Sequence, residues 1–172
     1  MNLIFDLETD ALLEDVTKIH CLGIYDLDSK ESYTFNDQGT GEPIVRGVQM
    51  LNDADTIIGH NIIGYDLPVI RKMYSWFKDP TVIIDTLILS RLFHADMLAL
   101  DKKHQWKNMP LQLYGRHSLE SYGYRLGEYK GCFAKTRDWK EWSDEMEQYM
   151  TQDVVVTTKL WHHFHKYLNG ST

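Results

Sequence analysis

Four carboxylates and one phenol in this chain are of the types and spacings that phosphodiester chemistry requires. Asp6 and Glu8 stand two apart near the start. Asp66 closes the run His60-Asn61-Ile62-Ile63-Gly64-Tyr65-Asp66, and Tyr149 and Asp153 stand four apart near the end. Clustered oxygen anions are what two divalent cations need to hydrolyse a phosphodiester, and little else in the sequence offers chemistry. Taken singly, each piece has a bland explanation. An Asp-x-Glu arises by chance in roughly every second chain of this size. Asp66 reads locally as a helix N-cap, Tyr149 and Asp153 as a polar helix face, and Asp85 as a cap or a support rather than a metal contact.

The elements that must carry these groups can be traced along the chain. Residues 2–7 form an apolar, β-prone run that ends at the acidic pair, and side chains two apart on a strand share a face. Further strands are expected at 16–26, Ser32–Phe35, Thr56–Gly59 and Val82–Ile84, with a glycine-containing loop at Asp37–Pro43. Helical spacing marks 43–52 and 66–77, the latter with Pro68 in its first turn. Asp85 caps a helix over Thr86–Phe93, residues 95–110 read as a polar loop, and helices follow at 117–126 and 140–167. Tyr149 and Asp153, at i and i+4, then stack on one face of the last helix. Strands dominate the first half and helices the second, which predicts an α/β fold with a mixed sheet flanked by helices, in one domain over residues 1–172.

Length and composition agree with a globular chain: 172 residues, 43% hydrophobic and 12% aromatic are enough for one real core. The formal charge of −7 argues against broad electrostatic binding of duplex nucleic acid. Two divalent cations would reduce it to about −3 and make the site locally positive. Cys21 and Cys132 lack metal-ligand spacing, which predicts reduced thiols and a cytoplasmic location. No signal peptide or membrane-spanning run is visible.

In their order, the acidic segments are more specific than any one of them. Asp6-Leu7-Glu8-Thr9, Asn61 to Asp66, and Tyr149-x-x-x-Asp153 resemble the tyrosine-containing DEDD 3′–5′ exonucleases of the DnaQ-like superfamily. Asp10-Ala11-Leu12-Leu13-Glu14, the stretch from Ile84 to Leu92, Tyr122-Gly123-Tyr124-Arg125-Leu126-Gly127 and Gln152-Asp153-Val154-Val155-Val156-Thr157 look like the proofreading domain of A-family DNA polymerases from short-tailed bacteriophages. The similarity covers nearly the whole chain. Two departures stand out: no polymerase domain follows in this sequence, and the stretch between Gly127 and Tyr149 is shorter than in those polymerases.

The resemblance implies a ribonuclease H-like fold with two Mg²⁺ or Mn²⁺ ions. One would be held by Asp6, Glu8 and Asp153, the other bridged by Asp6 and reached from Asp66 partly through water. Tyr149 would orient the attacking water, since a phenol with an ordinary pKa near 10 is a poor base at neutral pH. Thr9 and Asn61 would contact the 3′ nucleotide, and Leu12 would wedge between the last two bases, although core packing explains a lone leucine equally simply. The expected partner is a single-stranded DNA 3′ end, with a DNA polymerase or another replication protein as a possible associate and no membrane. Phage kinship would put the protein in bacterial host cytoplasm. An exoribonuclease and a non-catalytic 3′-end-binding or replication-docking module are the alternatives. Three features read as structural: His162, His163 and His165 as a solvated helix face, Trp139 with Trp142 as core or interface, and Lys102, Lys103 and Lys107 as a charged loop in solvent.

Overall fold

A computed structural model describes residues 1–128 and 138–168. Its centre is a five-stranded sheet in the order β3-β2-β1-β4-β5. The strands are β1 (Asn2–Thr9), β2 (Ile19–Asp26), β3 (Ser32–Asn36), β4 (Thr56–Gly59) and β5 (Val82–Asp85). β1 pairs antiparallel with β2 and parallel with β4, so the sheet is mixed as expected. The second strand begins later than the 16–26 run predicted. Residues before it are held in a loop by Asp10, whose carboxylate accepts hydrogen bonds from the backbone of Thr17 (2.9 Å) and Lys18 (3.3 Å) and from the Thr17 hydroxyl.

Alternation along β1 separates two faces. Leu3, Phe5 and Leu7 enter the core beneath α1 (Ile44–Asp53) and α2 (Leu67–Met73). Ile4 faces the other way, into a second cluster built with Met146, Met150, Val154 and Trp161 of the long C-terminal helix. Asp6 and Glu8 continue that second face, so the face turns from apolar to acidic at the strand's C-terminal end. Helices α3 (Thr86–Phe93), α4 (Met97–His104) and α5 (Leu119–Arg125) pack on the distal half of α6 (Asp144–Leu168) through Met97, Leu119, Tyr122, Val156, Leu160 and Phe164.

Several expectations are corrected here. The region 95–110 contains α4, not only loop. Its helix buries just Met97 and Asp101, so its apolar periodicity is too thin to read, and Lys102 and Lys103 lie in its last turn. The helix predicted from residue 66 starts as a wide π-helical turn over Ile62–Asp66 and stops at Met73. Asp66 makes no cap hydrogen bond there. His163 is not on a solvated face: its Nε2 meets Nε2 of His94 at 2.8 Å, joining α6 to the end of α3. Cys21 is buried in β2, where burial and the nearby charge of Glu8 push its thiol far above the usual range, so it is unreactive. Cys132 lies outside the described residues. No helix among those described is long and apolar enough to cross a membrane.

Candidate active site

Three elements deliver the acids to one place. β1 ends with Asp6 and Glu8 on the face toward α6. α6 approaches closely because Gly23, the register partner of Asp6 on β2, has no side chain: a Cβ there would lie 2.3 Å from Met150 Sδ. The near end of α6 is fixed by Glu147, which accepts from Asn36 Nδ2 at 2.7 Å and from Trp142 Nε1 at 3.3 Å, and by the Ser143 hydroxyl, which caps Met146 N at 3.2 Å. Asp153 thereby faces the strand end. Carboxylate oxygens of Asp6, Glu8 and Asp153 all lie within 4.8 Å of one another.

Asp66 is delivered by the third element. β4 ends at Gly59, where a Cβ would meet Ile62 Cγ2 at 2.2 Å and the Phe5 carbonyl oxygen at 3.0 Å; only glycine lets the turn fold back so tightly. Asn61, at φ 61°, takes the left-handed conformation that asparagine tolerates. Asp85 then holds the turn. Its carboxylate accepts from Asn61 N (2.8 Å), Ile63 N (3.0 Å) and Leu87 N (2.9 Å), the last capping α3. The cap reading of Asp85 is therefore correct, with a second duty toward the turn. Asp85→Ala should cost about 3 kcal/mol, roughly 1 for the lost cap and about 1 for each N–H left without an acceptor. Melting should fall by about 6–12 °C for a chain of this size. An unchanged melting temperature would show that the turn does not depend on Asp85.

Asp66 is buried, and among the described residues its Oδ2 has no hydrogen-bond donor. Burial pushes its carboxyl well above the ordinary carboxylate range, the charges of Asp85 and Asp153 add to this, and the Leu7 N–H opposes it. Asp66 is not in the tight trio with Asp6, but it feels Asp153 electrostatically. A trio of close carboxylates beside a buried, proton-hungry fourth is a donor set of hard oxygens, which fits a divalent cation such as Mg²⁺ or Mn²⁺. Tyr149, one turn before Asp153, is half-buried, and its ring meets Trp139 edge-on at 6.2 Å.

The residues expected to touch substrate fall on two cavities. One of about 340 Å³ is lined by Glu8, Thr9, Leu12, Tyr65 and Trp139, among others. Leu12 is 80% exposed, which overturns core packing as its explanation. The Thr9 side chain is engaged with the Tyr65 hydroxyl and the Ala11 carbonyl. Asn61 lines a second cavity of about 550 Å³ with His60, Arg91, Arg116 and His117. Sequence reasoning missed Tyr65, Arg91 and Arg116. Tyr65 immediately precedes Asp66 in the chain; the two arginines reach one cavity only through the packing of α3 against the loop before α5.

A mixed sheet whose central strand carries two acids, completed by a carboxylate from a C-terminal helix, defines a nuclease of ribonuclease H type. The RNase H superfamily pattern matches residues 3–165, and the chain belongs to that superfamily. Over 92% of its length it is 33% identical to the DNA-directed DNA polymerase of Escherichia phage T7, and the same figures hold for that of Enterobacteria phage T3. The chain spans 26% of the length of these relatives. Among solved structures, NrnC of Brucella melitensis superposes with a TM-score of 0.61 at 17% identity, covering 99% of this chain and 76% of that one. The ssDNA complex of E. coli ExoI gives a TM-score of 0.54 at 14% identity, over 95% and 42% of the two chains. Both share the fold.

Proposed function

We propose that this protein is a metal-dependent 3′–5′ exonuclease that removes nucleoside 5′-monophosphates from single-stranded DNA. The observation that carries this reading is the convergence of Asp6, Glu8 and Asp153 oxygens within 4.8 Å, because clustered carboxylate oxygens are the donor set that divalent cations take. DNA is favoured over RNA because the 33% identical relatives are DNA polymerases. The domain would serve in proofreading or as an enzyme in its own right.

Asp6, Glu8 and Asp153 would hold one ion, and Asp6 with Asp66 the other. When bound, the ions supply a more acidic attacking water and positive charge for the phosphate and the departing oxygen. The rest falls to the chain's own groups. Tyr149 orients the water by hydrogen bonding, together with Glu8. Thr9 presents its backbone to the terminal nucleotide, and Asn61 its side chain. Leu12, standing out of the surface, is available to part the last two bases. Arg91 and Arg116 flank the Asn61 cavity and give strand phosphates a cationic wall on a protein of net charge −7. A strand must be unpaired to run between these walls, which accounts for single-strand preference.

The test is cleavage of 5′-labelled single-stranded DNA, matched RNA and duplex, with Mg²⁺, Mn²⁺ or chelator. A ladder shortening from the DNA 3′ end, abolished by chelator, is the expected result. Stronger cleavage of RNA would replace the substrate assignment, and binding without cleavage on any substrate would overturn the enzymatic one.

A further inference from the structure

We propose that His94 and His163 form a second metal site, separate from the carboxylate cluster, for a divalent transition-metal ion of the nickel or copper class. The Nε2 atoms of the two rings lie 2.8 Å apart. An imidazole nitrogen sits about 2.0–2.1 Å from a first-row ion such as zinc. An ion at that distance from both nitrogens would hold them at about 85–90°, the angle between neighbouring ligands of a square-planar or octahedral ion. Tetrahedral zinc opens the angle to about 109° and would push the nitrogens roughly 3.3 Å apart. Tetragonal coordination by nitrogen and oxygen belongs to Cu²⁺ and Ni²⁺, so the spacing selects those ions.

The two rings come from different elements, and each is fixed before any ion arrives. His94 follows α3 and donates its backbone N–H to the Ser90 carbonyl oxygen at 2.9 Å. His163 stands inside α6. Phe164 and Tyr167 pack against both imidazoles, with ring centroids 5.6 and 6.2 Å from His94 and 5.0 and 5.8 Å from His163. Ligands locked in this way keep a site's geometry. Burial holds both imidazoles below the ordinary histidine range, so at neutral pH they are uncharged, the form that ligates a metal. Without an ion, one neutral ring donates to the other, and only one Nε2 carries a proton. Moving that proton to Nδ1 of the same ring leaves two Nε2 lone pairs for the ion. Both rings line a cavity of about 640 Å³, with room for the waters that complete the shell. The chemistry keeps the two sites apart, because imidazole suits nickel and copper whereas carboxylates suit magnesium and manganese. An ion here would tie the end of α3, the helix that Asp85 caps, to α6, the helix that carries Asp153.

The experiment reads binding rather than cleavage, so its outcome is independent of the nuclease reading. Ni²⁺ is titrated calorimetrically into the whole chain carrying Asp6→Ala, in excess Mg²⁺, which leaves the carboxylate cluster a poor competitor. The same chain with His94→Gln, His163→Gln or His162→Gln added is titrated alongside. One Ni²⁺ per chain is expected. His94→Gln and His163→Gln should each weaken it at least about tenfold, since even changes behind the ligands cost roughly 10- to 100-fold. His162, exposed beside His163, should be dispensable. Absence of binding, a loss below about tenfold in either ligand variant, or an equal loss in His162→Gln overturns the proposal. Should a ligand variant fail to fold, NMR on the Asp6→Ala chain decides. Substoichiometric Ni²⁺ should broaden the ring signals of His94 and His163 before those of any other histidine, and a different order overturns the site.

Discussion

Replacing Asp6 by alanine should abolish cleavage while leaving the metal-free chain folded. Activity should fall by about 10³-fold or more, equivalent to roughly 4 kcal/mol of lost transition-state stabilisation. Asp6 is the acid that the proposed arrangement uses twice. Its loss would remove one oxygen from a trio spanning 4.8 Å and also the link toward Asp66. Asp6 lies in the middle of β1, paired in register with Gly23, and its backbone bonds do not depend on its side chain. The checks are the shortening of a 5′-labelled single strand and a thermal melt in chelator. Near-normal cleavage by Asp6→Ala would mean that the acidic cluster is not the catalytic centre. A large drop in metal-free melting temperature would mean that the cluster is structural after all.

That the sequence predicted these acids, and missed much of what surrounds them, has a physical basis. β1 was legible because its alternation is regular: Leu3, Phe5 and Leu7 on one face, Ile4, Asp6 and Glu8 on the other. Tyr149 and Asp153 were legible because i,i+4 spacing on a long helix admits one geometry. The turn that carries Asp66 was not. Its wide π-helical turn depends on Gly59 and on two N–H groups, of Asn61 and Ile63, gathered by Asp85, which is distant in sequence. Local rules therefore made Asp66 a cap, although its side chain caps nothing. Leu12 looked like core because an isolated leucine in a short loop has no periodicity to place it, and only the fold of the loop around Asp10 turns it outward. The histidine pair His94 and His163 and the cationic cavity of Arg91 and Arg116 each join segments that sequence spacing cannot relate. Spacing relates groups that one element carries; it cannot relate groups that two elements must bring together.

The second large effect should appear in how pH and divalent ions act on stability together. Folding raises the Asp66 carboxyl above its unfolded pKa of about 3.9, chiefly by burial. Between the unfolded and folded values, the folded chain therefore holds a proton that the unfolded chain has already released. The unfolded state binds fewer protons in that window, so stability falls as pH rises through it, and the full penalty remains above the folded value. In chelator, wild type should lose stability relative to Asp66→Asn as pH climbs from about 4 toward neutrality, since asparagine keeps the shape without the charge. A divalent ion at the site replaces the proton as the group that neutralises Asp66. At about 100 times its dissociation constant, it should stabilise wild type by about 2.7 kcal/mol, or roughly 5–11 °C. That increment should shrink at mildly acidic pH, where protons compete for the same oxygens. Asp66→Asn should show a smaller increment at neutral pH and little change in it with pH. Melting curves of both proteins with Mg²⁺, Mn²⁺ or chelator across this range provide the measurement. Equal metal increments in the two proteins at every pH would remove Asp66 from the cation site. A wild-type minus Asp66→Asn difference that does not move with pH would show that its buried carboxyl is not what titrates.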